Sequence, residues 1–121
     1  MKARSVALLQ QVKFVLMVKD MQRAARFYRD MIGLTVARES SHWTELKFGD
    51  VIVALHAGGS AEQTETGLSF QVSDVAAVCQ RVARGGGTII KNPELRPGEP
   101  IKLAAAADTE GNQFMLTEYV G

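Results

Sequence analysis

Val18-Lys19-Asp20-Met21-Gln22-Arg23-Ala24-Ala25-Arg26-Phe27-Tyr28-Arg29-Asp30-Met31-Ile32-Gly33-Leu34 reads as the end of a strand, a capped helix and its terminating glycine. Asp20 suits a helix N-cap, because its carboxylate accepts from free amides of the first turn. Behind it, Ala24, Phe27, Tyr28 and Met31 keep the spacing of one buried helical face. Arg23, Arg26, Arg29 and Asp30 fall elsewhere on the wheel. Gly33 stands where a left-handed residue closes a helix. The run before the helix, Phe14-Val15-Leu16-Met17-Val18, is apolar and β-favouring.

The same pattern returns further on. Leu68-Ser69-Phe70-Gln71-Val72 is a second β-favouring run, Val72-Ser73-Asp74 answers Val18-Lys19-Asp20, and Val75, Val78, Cys79 and Val82 keep helical spacing. Gly85-Gly86-Gly87 ends that helix, and Asp74 to Gly87 spans the same distance as Asp20 to Gly33. After the first helix come strands at Thr35–Arg38, Trp43–Phe48 and Val51–His56. Gly49-Asp50 joins the last two, and glycine at the first central position predicts a type II′ hairpin. After the second helix come strands at 88–90, 101–107 and 113–118, the last two joined by Asp108-Thr109-Glu110-Gly111-Asn112. Gly58 to Thr66 reads as a linker, and Pro93 to Pro100 as a long loop. Each half is therefore β-α-β-β-β: module one over 12–57, linker 58–66, module two over 67–120.

Composition narrows the function. A chain of 121 residues points to one domain, and 46% hydrophobic residues suffice for a core without a disulfide or metal. A net charge of +1 from 14 basic and 13 acidic residues leaves no footprint for nucleic acid. No apolar run is long enough to span a bilayer. Cys79 is the only cysteine, so no intrachain disulfide forms, which fits a cytoplasmic setting. Met1 to Leu9 lacks a cleavage site and reads as an N-terminal extension.

Val18-Lys19-Asp20 through Phe27-Tyr28-Arg29-Asp30-Met31-Ile32-Gly33-Leu34 resembles the opening of the vicinal oxygen chelate superfamily, which includes glyoxalase I, extradiol dioxygenases, fosfomycin-resistance enzymes and bleomycin-binding proteins. Asp108-Thr109-Glu110-Gly111-Asn112 resembles its usual Asp-Pro-Asp-Gly-Asn turn, with Thr109 in place of proline. The resemblance spans about Val12 to Tyr119. It implies an α+β fold of two tandem βαβββ modules. Their curled mixed sheets enclose a concave pocket, with the helices on the convex faces. It also implies metal ligands, usually His or Glu, on the first and last strand of each module. Carried onto this chain, those positions are Lys13, Ala54, Leu68 and Met115. Alanine and leucine have no donor, methionine offers a thioether suited to soft metals, and lysine would have to lose its proton. The only histidines are His42 and His56. The resemblance thus implies the fold and a pocket, while the residues at these four positions predict no metal or other cofactor.

Strand alternation predicts what lines that pocket. Pairing across Gly49-Asp50 puts Trp43, Glu45, Lys47, Ile52, Ala54 and His56 on the concave side. Leu46, Phe48, Val51, Val53 and Leu55 then face the helix. Module one offers Lys13, Trp43, Glu45 and His56; module two offers Leu68, Phe70, Val72, Met115 and Thr117. Arg96, on the proline-rich loop, is placed to close over the cavity. Lys13 and Glu45 read either as ligand contacts or as an ion pair filling the vacated metal position. His56 reads as a structural histidine or as an acid–base group, since imidazole titrates near neutrality. Trp43 reads as a pocket wall or dimer contact, and Cys79 as core.

Three functions follow. The first is a metal-free protein that binds a small, partly apolar organic molecule, with a homodimer implied by the antibiotic-sequestering members. The second is an enzyme: a metal-independent lyase or isomerase using Glu45 or His56, or a glyoxalase- or dioxygenase-like metalloenzyme with non-standard ligands. The third is an interaction module whose pocket has collapsed around a buried Lys13–Glu45 pair.

Overall fold

The computed structural model describes residues 8–121; most of the N-terminal extension lies outside them. Strand β1 (Lys13–Val18) leads into helix α1 (Met21–Arg26), then β2 (Thr35–Arg38), β3 (Trp43–Phe48) and β4 (Val51–Ala57). The second half repeats this with β5 (Thr64–Gln71), α2 (Val75–Arg84), β6 (Thr88–Leu95), β7 (Ile101–Ala107) and β8 (Asn112–Tyr119). Two four-stranded mixed sheets result, ordered β1-β4-β3-β2 and β5-β8-β7-β6. In each the first strand runs parallel to the last, while the other pairs are antiparallel. The expected α+β repeat is what the chain adopts.

Both helix starts are built as the sequence predicts. Asp20 Oδ1 accepts from Arg23 N at 3.0 Å, and Asp74 Oδ1 from Ala77 N at 3.0 Å. Gly33 takes the left-handed conformation at φ +97°. The sequence did not signal that α1 widens into a π-helical segment, Phe27–Ile32, closed by Gly33 N to Tyr28 O at 3.1 Å. This segment carries Phe27 and Tyr28 into the core. Tyr28 packs against Phe70 and Phe114 of the second sheet, and Phe27 against Phe114.

One core therefore serves both modules. Leu16, Val18, Leu46, Val53 and Leu55 of the first sheet join Leu68, Ala104, Phe114 and Leu116 of the second around Ala24, Phe27, Tyr28, Cys79 and Val82. Cys79 is buried there, as expected. The reverse faces of the sheets are the ones left open: Val15, Met17 and Met115 are exposed on them.

A polar seam ties the halves together. The buried Glu110 carboxylate accepts from Lys19 N (2.9 Å), Asp20 N (2.8 Å) and Arg23 Nε (2.8 Å) across the module boundary, and from Thr109 Oγ1 beside it (2.6 Å). Tyr28 donates to Asp108 Oδ2 at 2.5 Å, and Asn112 Nδ2 donates to Met17 O at 2.9 Å. Gly111, at φ +85°, passes so close to the linker that a Cβ there would lie 2.5 Å from Glu62 O.

Four expectations are corrected. Phe48 and Val51 are 74% and 53% exposed, because no element covers the hairpin tip; they flank an apolar cleft with Phe14, Ile32 and Leu34. The Pro93–Pro100 loop is shorter than read, since β6 runs to Leu95. Pro93 sits in an edge strand at a break in register, where a missing amide is tolerated. The linker is shorter too, because β5 begins at Thr64. The fourth concerns Leu68, Phe70 and Val72, and bears on the site.

Candidate functional site

The β3–β4 hairpin sets the site. Gly49 has φ +59°, whereas Asp50 does not have positive φ, which fits the type II′ turn. The register follows: Trp43 opposite His56, Glu45 opposite Ala54, Lys47 opposite Ile52. Strand β1 lies on the other side of β4, with Lys13 opposite Ile52 and Val15 opposite Ala54. The period-two pleat then puts Lys13, Trp43, Glu45 and His56 together on the open face of the first sheet.

Glu45 organises this group. Its Oε2 accepts from Lys13 Nζ at 3.1 Å and from Trp43 Nε1 at 2.8 Å. The Lys13 ammonium lies 5.5 Å from the Trp43 ring centroid, within cation–π range. The Trp43 hydrogen bond and the Lys13 ammonium hold the Glu45 carboxyl below the ordinary glutamate range. The pair is not sealed in: the side chains of Lys13 and Glu45 keep 30% and 14% exposure. His56 stands edge-on to Trp43 at 5.9 Å, and its Nδ1 lies 2.6 Å from Ala57 O. A carbonyl only accepts, so Nδ1 carries a proton, and in the neutral ring Nε2 is left as an acceptor.

Ala54 has no exposed surface and yet lies outside the hydrophobic core cluster. It is covered from the open side, where Glu45 and Val15 are its strand partners.

The second module answers differently. Ser69 lies opposite Met115 and Gln71 opposite Thr117, so these four share the second open face. Leu68 and Phe70 point the other way, Leu68 into the core and Phe70 onto Tyr28 and Phe114; Val72 packs against the same core. The repeat gives the physical reason. Val72 follows Val18 by 54 positions, and the same step takes Phe14 to Leu68 and Lys13 to Gly67. Gly67, not Leu68, therefore answers Lys13, and a step of one residue reverses the face. Met115 and Thr117 do lie on the open face. Arg96 sits at the β6–β7 turn, where it pairs with Glu99 at 3.2 Å.

Of the open-face residues, Val15 and Met17 line a cleft with Thr64, Glu65 and Thr66 of the second module, and Glu45, His56 and Met115 lie outside it.

A family model for the Glyoxalase/Bleomycin resistance protein/Dioxygenase superfamily matches residues 10–116. The chain belongs to this superfamily. A lactoylglutathione lyase from Haemophilus influenzae is 23% identical, over 91% of this chain and 93% of that protein. Among solved structures, a hypothetical protein from S. aureus superposes with a TM-score of 0.77 at 22% identity, covering 93% of this chain and 95% of that one. The fosfomycin resistance protein FosX from Listeria monocytogenes does so with a TM-score of 0.74 at 18% identity, covering 94% of each chain. These likenesses are of fold.

The metal-ligand positions implied by the superfamily do not fit a divalent ion here. Lys13 is an ammonium held by Glu45, Ala54 is covered and has no donor, Leu68 is in the core with Gly67 in its place, and Met115 offers only sulfur. Among the described residues no three His, Cys, Asp or Glu side chains group to hold a metal ion. Nor is any helix among them long and apolar enough to cross a membrane.

Proposed function

We propose that this member of the superfamily binds a small, partly apolar organic molecule without a metal, on the open face around Lys13, Trp43, Glu45 and His56, with Met115 of the second face. The observation that carries this reading is the Glu45 carboxylate. It ties the Lys13 ammonium and the Trp43 indole into one group beside the covered Ala54, where the superfamily resemblance puts a metal ligand. A few fixed polar groups beside apolar surface is the usual make-up of a small-molecule site. The expected result for protein purified without chelators is substoichiometric nickel, zinc, manganese and iron. One equivalent of any of these, lost on Glu45→Ala, would overturn the reading.

The open faces also support a homodimer. Val15, Met17 and Met115 are exposed on them, and a second copy would supply the cover that one chain lacks. Sedimentation equilibrium is expected to give twice the chain mass. A monomer at working concentration would remove this part.

A metal-independent lyase or isomerase is the second reading, and one observation favours it: the hydrogen bond of His56 Nδ1 leaves Nε2 as an acceptor in the neutral ring. A general base needs such an atom within reach of its proton. Glu45 is the weaker candidate, because the Trp43 indole and the Lys13 ammonium hold its carboxyl below the ordinary glutamate range. Once a substrate is found, unchanged turnover on His56→Gln would exclude this role.

A further inference from the structure

The open face of the first sheet is unevenly charged. Strand pairing places Lys13, Lys47 and Arg38 on it, Arg38 being opposite Glu45. Glu45 is the one carboxylate those strands set among these cations. It forms an ion pair with only one of them, Lys13. The second open face, built from Ser69, Gln71, Leu103, Ala105, Met115 and Thr117, is uncharged along its central strands.

Lys13 is not used up by its partner. An ammonium has three donors, and one hydrogen bond to Glu45 is present. Because Glu45 also holds the indole, cation and ring are fixed side by side before any ligand arrives, which lowers the ordering cost of binding. Val15 and Ile52 extend the apolar surface next to them.

Resting on the small-molecule reading above, we infer that the preferred ligand is an organic acid: an anionic oxygen seated on the Lys13 ammonium, with an aromatic or apolar body against Trp43. On this account Lys13 supplies the positive charge at a position where the superfamily resemblance puts a metal ligand. Glu45 is a positioning residue that keeps the ammonium and the indole in place.

Trp43 is the sole tryptophan, so its fluorescence reports on this group alone. The test titrates the intact protein with benzoate, benzyl alcohol and benzylamine, three probes of like shape and different charge. Benzoate is expected to give a saturable change and to bind at least about tenfold more tightly than either of the others. Lys13→Met, which keeps the stem and removes the charge, is expected to cost benzoate about tenfold and leave benzyl alcohol unchanged. Lys13→Arg keeps the preference, and added salt weakens benzoate alone. Equal binding of the three probes, with no effect of Lys13→Met, would overturn the anion preference and leave the small-molecule site standing. No saturable response to any probe would overturn both.

Discussion

Glu110 shows how far a single residue can act beyond its place in the chain. In the sequence it is the middle of a turn, and nothing in its spacing says that its carboxylate finishes a helix start some ninety residues earlier. Burial pushes this carboxyl up. The hydrogen bonds from Arg23 and Thr109, and from the backbone amides of Asp20 and Lys19, outweigh that and hold it below the ordinary glutamate range. A carboxyl lowered in the folded state adds stability above its unfolded value, and that stability is lost as pH falls through the folded value. Glu110→Gln is therefore expected to lower stability by about 1–3 kcal/mol at neutral pH and to flatten its loss in acid, both read by urea unfolding. An acid limb as steep as that of the unaltered chain would count against this role. Tyr28 works at the other end of the scale. Burial, then the adjacent Asp108 carboxyl, raises its phenol well above 10.0. Above the ordinary tyrosine value the unfolded chain ionises first, so stability falls as pH rises. Tyr28→Phe is expected to be less stable than the unaltered chain at neutral pH and to lose less between neutral and strongly alkaline conditions.

At the level of elements, local patterns were legible where a residue's own chemistry fixes its conformation. The two Asp caps, Gly33 and the Gly49-Asp50 hairpin all follow from such residues, and the hairpin alone brought Trp43, Glu45 and His56 onto one face. What was not legible depends on neighbours outside the segment. The phase of β5 is an example: its apolar run reads the same whichever face is buried, and the break in register between Glu65 and Ser69 is set by the pairing with β8. The reach of β6 past Pro93 is another. The turns differ in the same sense. Gly49 has no atom near where a Cβ would stand, whereas at Gly111 a Cβ would meet Glu62 O and Ala61 O at 2.5 and 2.7 Å. Both have positive φ, so Gly49→Ala carries a strain of about 1 kcal/mol, while Gly111→Ala adds a backbone collision and is expected to cost about 3 kcal/mol. Thermal unfolding of the two variants should show the larger fall for Gly111→Ala. Equal falls would mean that the 108–112 turn is not pressed against the linker.

For the molecule as a whole, the repeat suggests two bodies and the packing makes one. Phe27 and Tyr28 from the first module pack on Phe114 of the second, so neither module's apolar face is complete without the other. Unfolding is expected to be a single transition: Trp43 fluorescence, which reports module one, should coincide in urea with far-ultraviolet circular dichroism, which reports both. Separate midpoints would show that the modules melt independently. The two halves are nonetheless unequal partners. The start of α2 is completed within its own module, where Glu118 accepts from Val75 N at 2.9 Å. The start of α1 borrows Glu110 from across the boundary. If the chain arose by doubling an ancestral half, its two copies have parted company: the later one still begins its helix with a carboxylate of its own, whereas the earlier one begins with a carboxylate lent by its sibling.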